Sequence, residues 1–327
     1  MRALGRRLRG RALRAASWLV CRLPERPLLA LAELGGDVWY RATPDRAAQA
    51  RRNLARVAGW LAAHDTGTSL ARAAAHDQRA LERLVRLAYR HAARYYLEVM
   101  RAPAMAGAGL QQRIEIVTPD TVEDAFRPGR PAIFIGLHFG AIELPALYLA
   151  SRAGSAVGPM ETLDDPDLQD WFVRTRGSVG LRIVGLREAR RELTAALRAG
   201  TSVGLVGDRD LTGGGTLTEL FGAPARLPLG PALLAIETGA PAYVAAVRRS
   251  TPGHYVGRLE AVDVPPEGSR RERATAATVS IARAFERVIS DAPEQWWAVF
   301  FPIWPDLAGG RERDARGSTP PPVDAAP

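Results

Sequence analysis

No lysine occurs in the 327 residues, so all 44 basic side chains are arginine. That uniformity reads as coding bias, and it weakens what a net charge of +9 says about partners. A basic chain invites a nucleic-acid reading, yet no helix-turn-helix, zinc-finger or RRM signature accompanies the charge. Nucleic acid is therefore not expected as a partner. Cysteine is almost absent too. Cys21 stands alone, which excludes a disulfide framework and a thiolate zinc site. No run of about 18 uncharged apolar residues exists, so no transmembrane helix is expected. The apolar stretch 15–21 is cut short by Arg22, Pro24, Glu25 and Arg26, without a signal-peptide cleavage site. Internal repeats are missing as well.

What is present falls into four parts. Residues 1–23 read as a basic amphipathic helix. Leu4, Leu8, Ala12, Ala15 and Leu19 line one side with Trp18 beside them, Arg6, Arg9 and Arg14 face away, and Leu13 breaks the pattern. Such a helix suits an anionic membrane surface or, equally, packing on the domain. Residues 24–110 read as all helical, with apolar positions at helical spacing from Leu81 to Val99. From residue 111 to 306 strands and helices alternate. Strands are expected at 113–117, 131–137, 181–185, 201–206, 216–221, 241–249 and 254–262. Helices are expected at 143–153, 165–177, 187–199, 229–238 and 272–290. That alternation predicts an α/β fold, a mostly parallel central sheet flanked by helices, forming one domain with the helical region. Residues 307–327, rich in Gly, Arg, Asp and Pro, read as a disordered tail.

One segment organises the rest. Residues 131–137 are an apolar run bounded by Pro128-Gly129 and Pro131, the length of a buried strand. It delivers His138, then Gly140, then Glu143 at the head of a helix. Open α/β sheets place their chemistry at the carboxyl ends of strands. On one continuous helix an offset of five puts side chains roughly 140° apart. His138 and Glu143 can therefore meet only if the first sits in the turn and the second in the first helical turn. A carboxylate there could hold the imidazole tautomer and stabilise its protonated form. With no Gly-x-Ser-x-Gly elbow and Cys21 in the N-terminal helix, histidine would activate an acceptor hydroxyl directly.

Two further features carry charge. Asp208-Arg209-Asp210 follows the strand 203–206 and precedes Gly213-Gly214-Gly215. Its carboxylates could bind a metal or fix the loop through arginines. The Gly-Lys-Ser/Thr ending of a P-loop is absent. Arg176 ends a helix ahead of Gly180, where it could clamp a phosphate or stand in solvent.

Taken in order, these pieces resemble the bacterial lysophospholipid acyltransferase superfamily. The match is to the branch of lipid A late acyltransferases and phosphatidylinositol mannoside acyltransferases. The resemblance rests on His138, Gly140 and Glu143; Arg176 with Gly180; Asp208 to Gly213; Phe221-Gly222 with Ala225-Arg226; and Gly230-Pro231-Ala232. Arg52-Asn53-Leu54 and Pro293-Glu294-Gln295-Trp296 extend it to residues 15–305. The Asp-Arg-Asp-Leu-Thr-Gly block leans toward the mannoside enzymes. One departure stands out: family members often carry Asn-Trp before the acid, and this chain has Ala141-Ile142.

The resemblance implies transfer of a fatty acyl group from acyl-CoA or acyl carrier protein to a hydroxyl of a membrane glycolipid or lysolipid. The best-matched acceptor is of phosphatidylinositol mannoside type, with lipid A-type or lysophospholipid acceptors as the alternative. His138 would be the general base and Glu143 its orienter. Arg176 would position acceptor or donor phosphates, Gly140 would help bind substrate, and Asp208, Arg209 and Asp210 would shape the pocket. No cofactor and no metal are implied. The place would be peripheral, on the cytoplasmic face of the plasma membrane. An inactive membrane-associated scaffold and a metal-dependent hydrolase using His138, Glu143, Asp208 and Asp210 are the competing readings.

Overall fold

The computed structural model describes residues 12–105, 109–178, 180–210 and 213–308. Helices α1 (12–20 as described), α2 (Glu25–Ala42), α3 (Pro44–Ala63), α4 (Ser69–Ala73) and α5 (Gln78–Met105) come first. Strands β1 (Ile114–Ile116), β2 (Ile133–Gly136), β3 (Ala156–Met160), β4 (Leu181–Gly185) and β5 (Val203–Val206) then alternate with α6 (Pro119–Ala125), α7 (Glu143–Ala153), α8 (Pro166–Gly177) and α9 (Ala189–Arg198). A hairpin of β6 (Thr216–Leu220) and β7 (Ala223–Leu227) leads to α10 (Gly230–Thr238), β8 (Ala242–Arg249), β9 (Tyr255–Ala261) and α11 (Arg270–Ser290).

Among the described residues seven strands form one sheet in the order β1-β9-β8-β2-β5-β3-β4, and β6 pairs with β7. The sheet is parallel except where β8 meets β9. This is the α/β architecture with a helical N-terminal region that the alternation predicts. β2 sits in the middle, between β8 and β5. Its run Ile133-Phe134-Ile135 is buried on both faces, as a central parallel strand must be.

Three elements are absent from the sequence expectation: α6, β3 and β7. β3 contains Gly158-Pro159, which local propensity places outside strands. Proline is tolerated at Pro159, which pairs with Val184 of β4, because the sheet supplies partners for the residues around it. β7 is short and carries Pro224. The turn joining it to β6 is Phe221-Gly222, both with positive φ, the conformation of a two-residue hairpin turn.

One apolar core runs from α3 and α5 to the sheet, through Leu54, Tyr89, Ile133, Ile135, Phe285 and Trp296. Asn53, fully buried, donates to the carbonyls of Val299 and Phe301, both at 2.8 Å. α3 is thereby tied to the segment that follows α11. On α1 the expected stripe has a second side. Ser17 is buried, its hydroxyl donating to Met100 O at 2.7 Å, and Leu13, which breaks the stripe, lies on that packed side. Ala12, Ala15, Trp18 and Leu19 face outward. Leu4, Arg6, Leu8 and Arg9, and the tail beyond residue 308, lie outside the described residues.

Candidate active site

β2 and β5 are parallel neighbours, with Gly136 level with Val206. Gly207 N–H donates to Gly136 O at 2.9 Å, so the pairing continues past the strand ends. Two residues further along each chain stand His138 and Asp208. Sheet register thus brings together side chains 70 residues apart in sequence. Imidazole Nδ1 lies 2.6 Å from Asp208 Oδ1. Asp208 Oδ2 accepts from the His138 backbone N–H and from Trp296 Nε1–H, each at 2.9 Å.

The Asp208 side chain is fully sealed, whereas His138 keeps 18% of its side chain exposed. Burial alone would push the Asp208 carboxyl up. The charge of His138 and the hydrogen bonds from His138 and Trp296 outweigh it and hold the carboxyl below its usual range. An ionised carboxylate at Nδ1 makes that nitrogen the donor and leaves Nε2 as the proton acceptor. The ring is also packed edge-on against Trp297, centroids 4.5 Å apart, and Trp297 stacks on Tyr95 at 4.8 Å.

The expectation that Glu143 orients His138 needs correction. Glu143 does open α7 and is buried, but its carboxylate belongs to Arg176. Arg176 Nη2 donates to Oε1 at 2.6 Å and Nε to Oε2 at 3.0 Å. Burial would lower the guanidinium's pKa, but Glu143 more than compensates and raises it. The prongs expected to grip phosphate are thus spent on Glu143, bracing the head of α7 against the end of α8.

The remaining positions divide. Arg209 lies with its guanidinium 3.7 Å from the Phe301 ring centroid, and burial depresses its pKa. Asp210 accepts from Gly213 N–H at 3.0 Å and Gly215 N–H at 2.8 Å, so it fastens the glycine loop. Gly140 has φ +53°, and a Cβ there would stand 2.1 Å from Val247 O. The glycine lets the His138 turn lie against β8, where Ala141 N–H donates to Val247 O at 2.9 Å. Where the family often has Asn-Trp, Ala141 is buried and Ile142 lines the cavity described next. Among the described residues, no three His, Cys, Asp or Glu side chains gather as a metal set would.

His138, Glu143, Arg176 and Arg209 border a cavity of about 280 Å³. It runs down from the strand ends between α7 and the sheet, over Gly136, Gly158 and Gly204, and is walled by Phe134, Leu149, Leu181 and Ile183. The His138 imidazole thus stands at the edge of a mainly apolar slot. Sequence reasoning missed the role of Asp208 and of Trp296, although both lie in blocks it singled out.

Comparison with known proteins adds to this geometry. The model of the family described as bacterial lipid A biosynthesis acyltransferase matches residues 11–300. A phosphatidylinositol mannoside acyltransferase of Mycolicibacterium smegmatis is 31% identical over 314 residues, covering 93% of this chain and 94% of that protein. A protein of the same name from Mycobacterium tuberculosis is 30% identical over 313 residues, covering 92% and 91%.

Proposed function

Since the chain belongs to the bacterial lipid A biosynthesis acyltransferase family, we propose that it moves a fatty acyl group from a thioester donor, acyl-CoA or acyl carrier protein, to a hydroxyl of a phosphatidylinositol mannoside-type glycolipid. The observation that carries this reading is the His138–Asp208 pair at the mouth of an apolar slot. The acceptor is supported by the names of the two relatives.

In this reading the chemistry runs through His138. Nε2 of His138 takes the proton of the acceptor hydroxyl as its oxygen attacks the thioester carbonyl. The imidazolium that forms is stabilised by Asp208, whose oxygens are already fixed by three donors. Collapse of the tetrahedral intermediate forms the ester and breaks the C–S bond. The thiolate leaves with the proton returned from Nε2. The fatty chain lies in the slot, where each buried methylene contributes about 0.8 kcal/mol. Arg209, which borders the slot, would meet a phosphate of donor or acceptor. Glu143 and Arg176, paired with each other, join α7 to α8 at the cavity wall and do not handle the proton.

No helix among the described residues is long and apolar enough to cross a membrane. Contact with the lipid acceptor is supported by apolar side chains left outside the fold: Trp18 and Leu19 on α1, and Leu31, Leu34 and Val38 on one face of α2. The protein would act peripherally, at the cytoplasmic face of the plasma membrane.

The test is acyl transfer to phosphatidylinositol mannoside, followed by mass spectrometry. Folded His138→Ala protein is expected to lose transfer while still binding a donor. Near-normal transfer by that variant would remove His138 from the mechanism, and the inactive-scaffold reading is kept only if the wild-type chain transfers nothing.

A further inference from the structure

Phe134 lines the slot. Along β2, residues 134, 136 and 138 share one face, so the path from His138 passes over Gly136 and meets the Phe134 ring four residues deeper. At about 3.3 Å per residue that is a depth of roughly 13 Å. The ring is held from two sides. Phe126 lies 5.2 Å away and Tyr243 stacks on it at 6.1 Å. The Tyr243 hydroxyl in turn donates to Asp124 at 2.5 Å.

Behind this ring lies a second void of about 30 Å³, bounded by Ile116, Val122, Phe126, Tyr148, Gly257 and Leu259. Phe134, Pro145, Leu149, Ala245 and Ala246 border both spaces. The first space lies under α7 from β4 to β2, and the second continues under α7 from β2 to β1. The two spaces thus adjoin across the sheet, with Phe134 among the side chains they share. A small apolar space of this kind gains nothing for the fold, because its lining lacks contacts on one side.

We propose that Phe134 is the partition that sets the length of acyl chain the enzyme accepts, with the void behind it as the extension that a longer chain would enter. This rests on the reading of the slot as the acyl site. A chain that stops at the ring is fully buried. A longer chain must bend back toward the mouth or displace a ring clamped by Phe126 and Tyr243.

The experiment uses full-length protein, a series of saturated acyl-CoA donors differing by two carbons, and phosphatidylinositol mannoside as acceptor. Binding of the matching unreactive thioether analogues is measured in parallel. In Phe134→Ala, and in the gentler Phe134→Leu, the longest donor accepted should increase by at least two carbons. Relative kcat/KM for that donor should rise about tenfold, the worth of two buried methylenes. Ile116→Phe plugs only the far void, from an edge strand, and should leave the wild-type length profile unchanged. Combined with Phe134→Ala, it should restore that profile. If neither transfer nor binding changes its length dependence in folded Phe134→Leu and Phe134→Ala, the void is a packing defect and the proposal is overturned. If wild-type protein transfers no acyl group from any donor, the acyltransferase reading fails instead. The analogue-binding series then still decides for or against the partition.

Discussion

At the scale of single residues, two carboxylates that look alike in sequence are asked to do different things. Asp208 touches the imidazole, and Glu143 touches a guanidinium. Asp208→Asn should therefore lower transfer by about 10² or more, since a neutral amide both removes the charge and allows the wrong tautomer. Adding His138→Ala should cost little beyond His138→Ala alone, because the pair acts as a unit. Glu143→Gln should lose less turnover than Asp208→Asn. Steady-state kinetics on the four variants decides it, and equal losses at the two acids would contradict the assignment. His91 on α5 makes a separate prediction. Its Nδ1 is buried without a partner among the described residues. Burial, with the charge of Arg249 adding to it, pulls its pKa down from 6.5 to about 3. The unfolded chain therefore binds a proton first as pH falls. Stability from the neutral ring is full above about pH 6.5 and declines below it, by up to about 1.4 kcal/mol per pH unit. Chemical denaturation between pH 7 and 5 should show that slope, and His91→Leu should flatten it.

At the scale of elements, the pair Glu143–Arg176 joins the first turn of α7 to the last turn of α8, with side chains only 10% and 18% exposed. Removing one partner leaves the other charge in a poorly solvated wall. Glu143→Gln should lower stability by about 2 kcal/mol or more, and Glu143→Gln/Arg176→Gln should recover part of that. Thermal melts of the two singles and the double give the coupling directly. An additive cycle would mean that the brace carries nothing. The turn before α7 depends on Gly140, since any side chain there would collide with β8. Several blocks that mark the family resemblance turn out to be such joints. Gln295 exchanges two hydrogen bonds with the Arg249 backbone, at 2.8 and 2.9 Å, and its carbonyl accepts from Gly140 N–H at 2.9 Å.

At the scale of the whole molecule, charge along the sequence and exposed apolar side chains among the described residues both gather toward the N-terminus. Eight arginines precede residue 27, against one acid, Glu25. Leu31, Leu34 and Val38 are each more than half exposed, an unusual arrangement on a helix whose other face packs on α5. Deleting residues 1–23 should weaken binding to anionic vesicles, with each arginine contributing about 1 kcal/mol at most in low salt. Leu31→Glu/Leu34→Glu/Val38→Glu should weaken it further while residues 1–23 remain in place. Sedimentation with vesicles at two salt concentrations separates the contributions. Unchanged binding of the triple variant would exclude the α2 face.

Much was decided by the chain's local pattern. Apolar runs, helical spacing and glycine caps determined the order of elements, the mostly parallel sheet and the delivery of His138 at a strand's end. These follow from periodicity and turn chemistry, which act over a few residues. The partner of His138 did not follow. Glu143 is five residues away and Asp208 is 70, and only the register of β5 on β2 makes the distant one the neighbour. Pairing between parallel strands is set by packing of the whole sheet, so no local spacing announces it. The same holds for β3, whose Gly158 and Pro159 argue against a strand until β4 and β5 are beside them. It holds also for Phe134. In sequence it is one apolar residue in a run, and it stands as the proposed partition only because Gly136, Gly158 and Gly204 line the space on one side of it and Gly257 the space on the other.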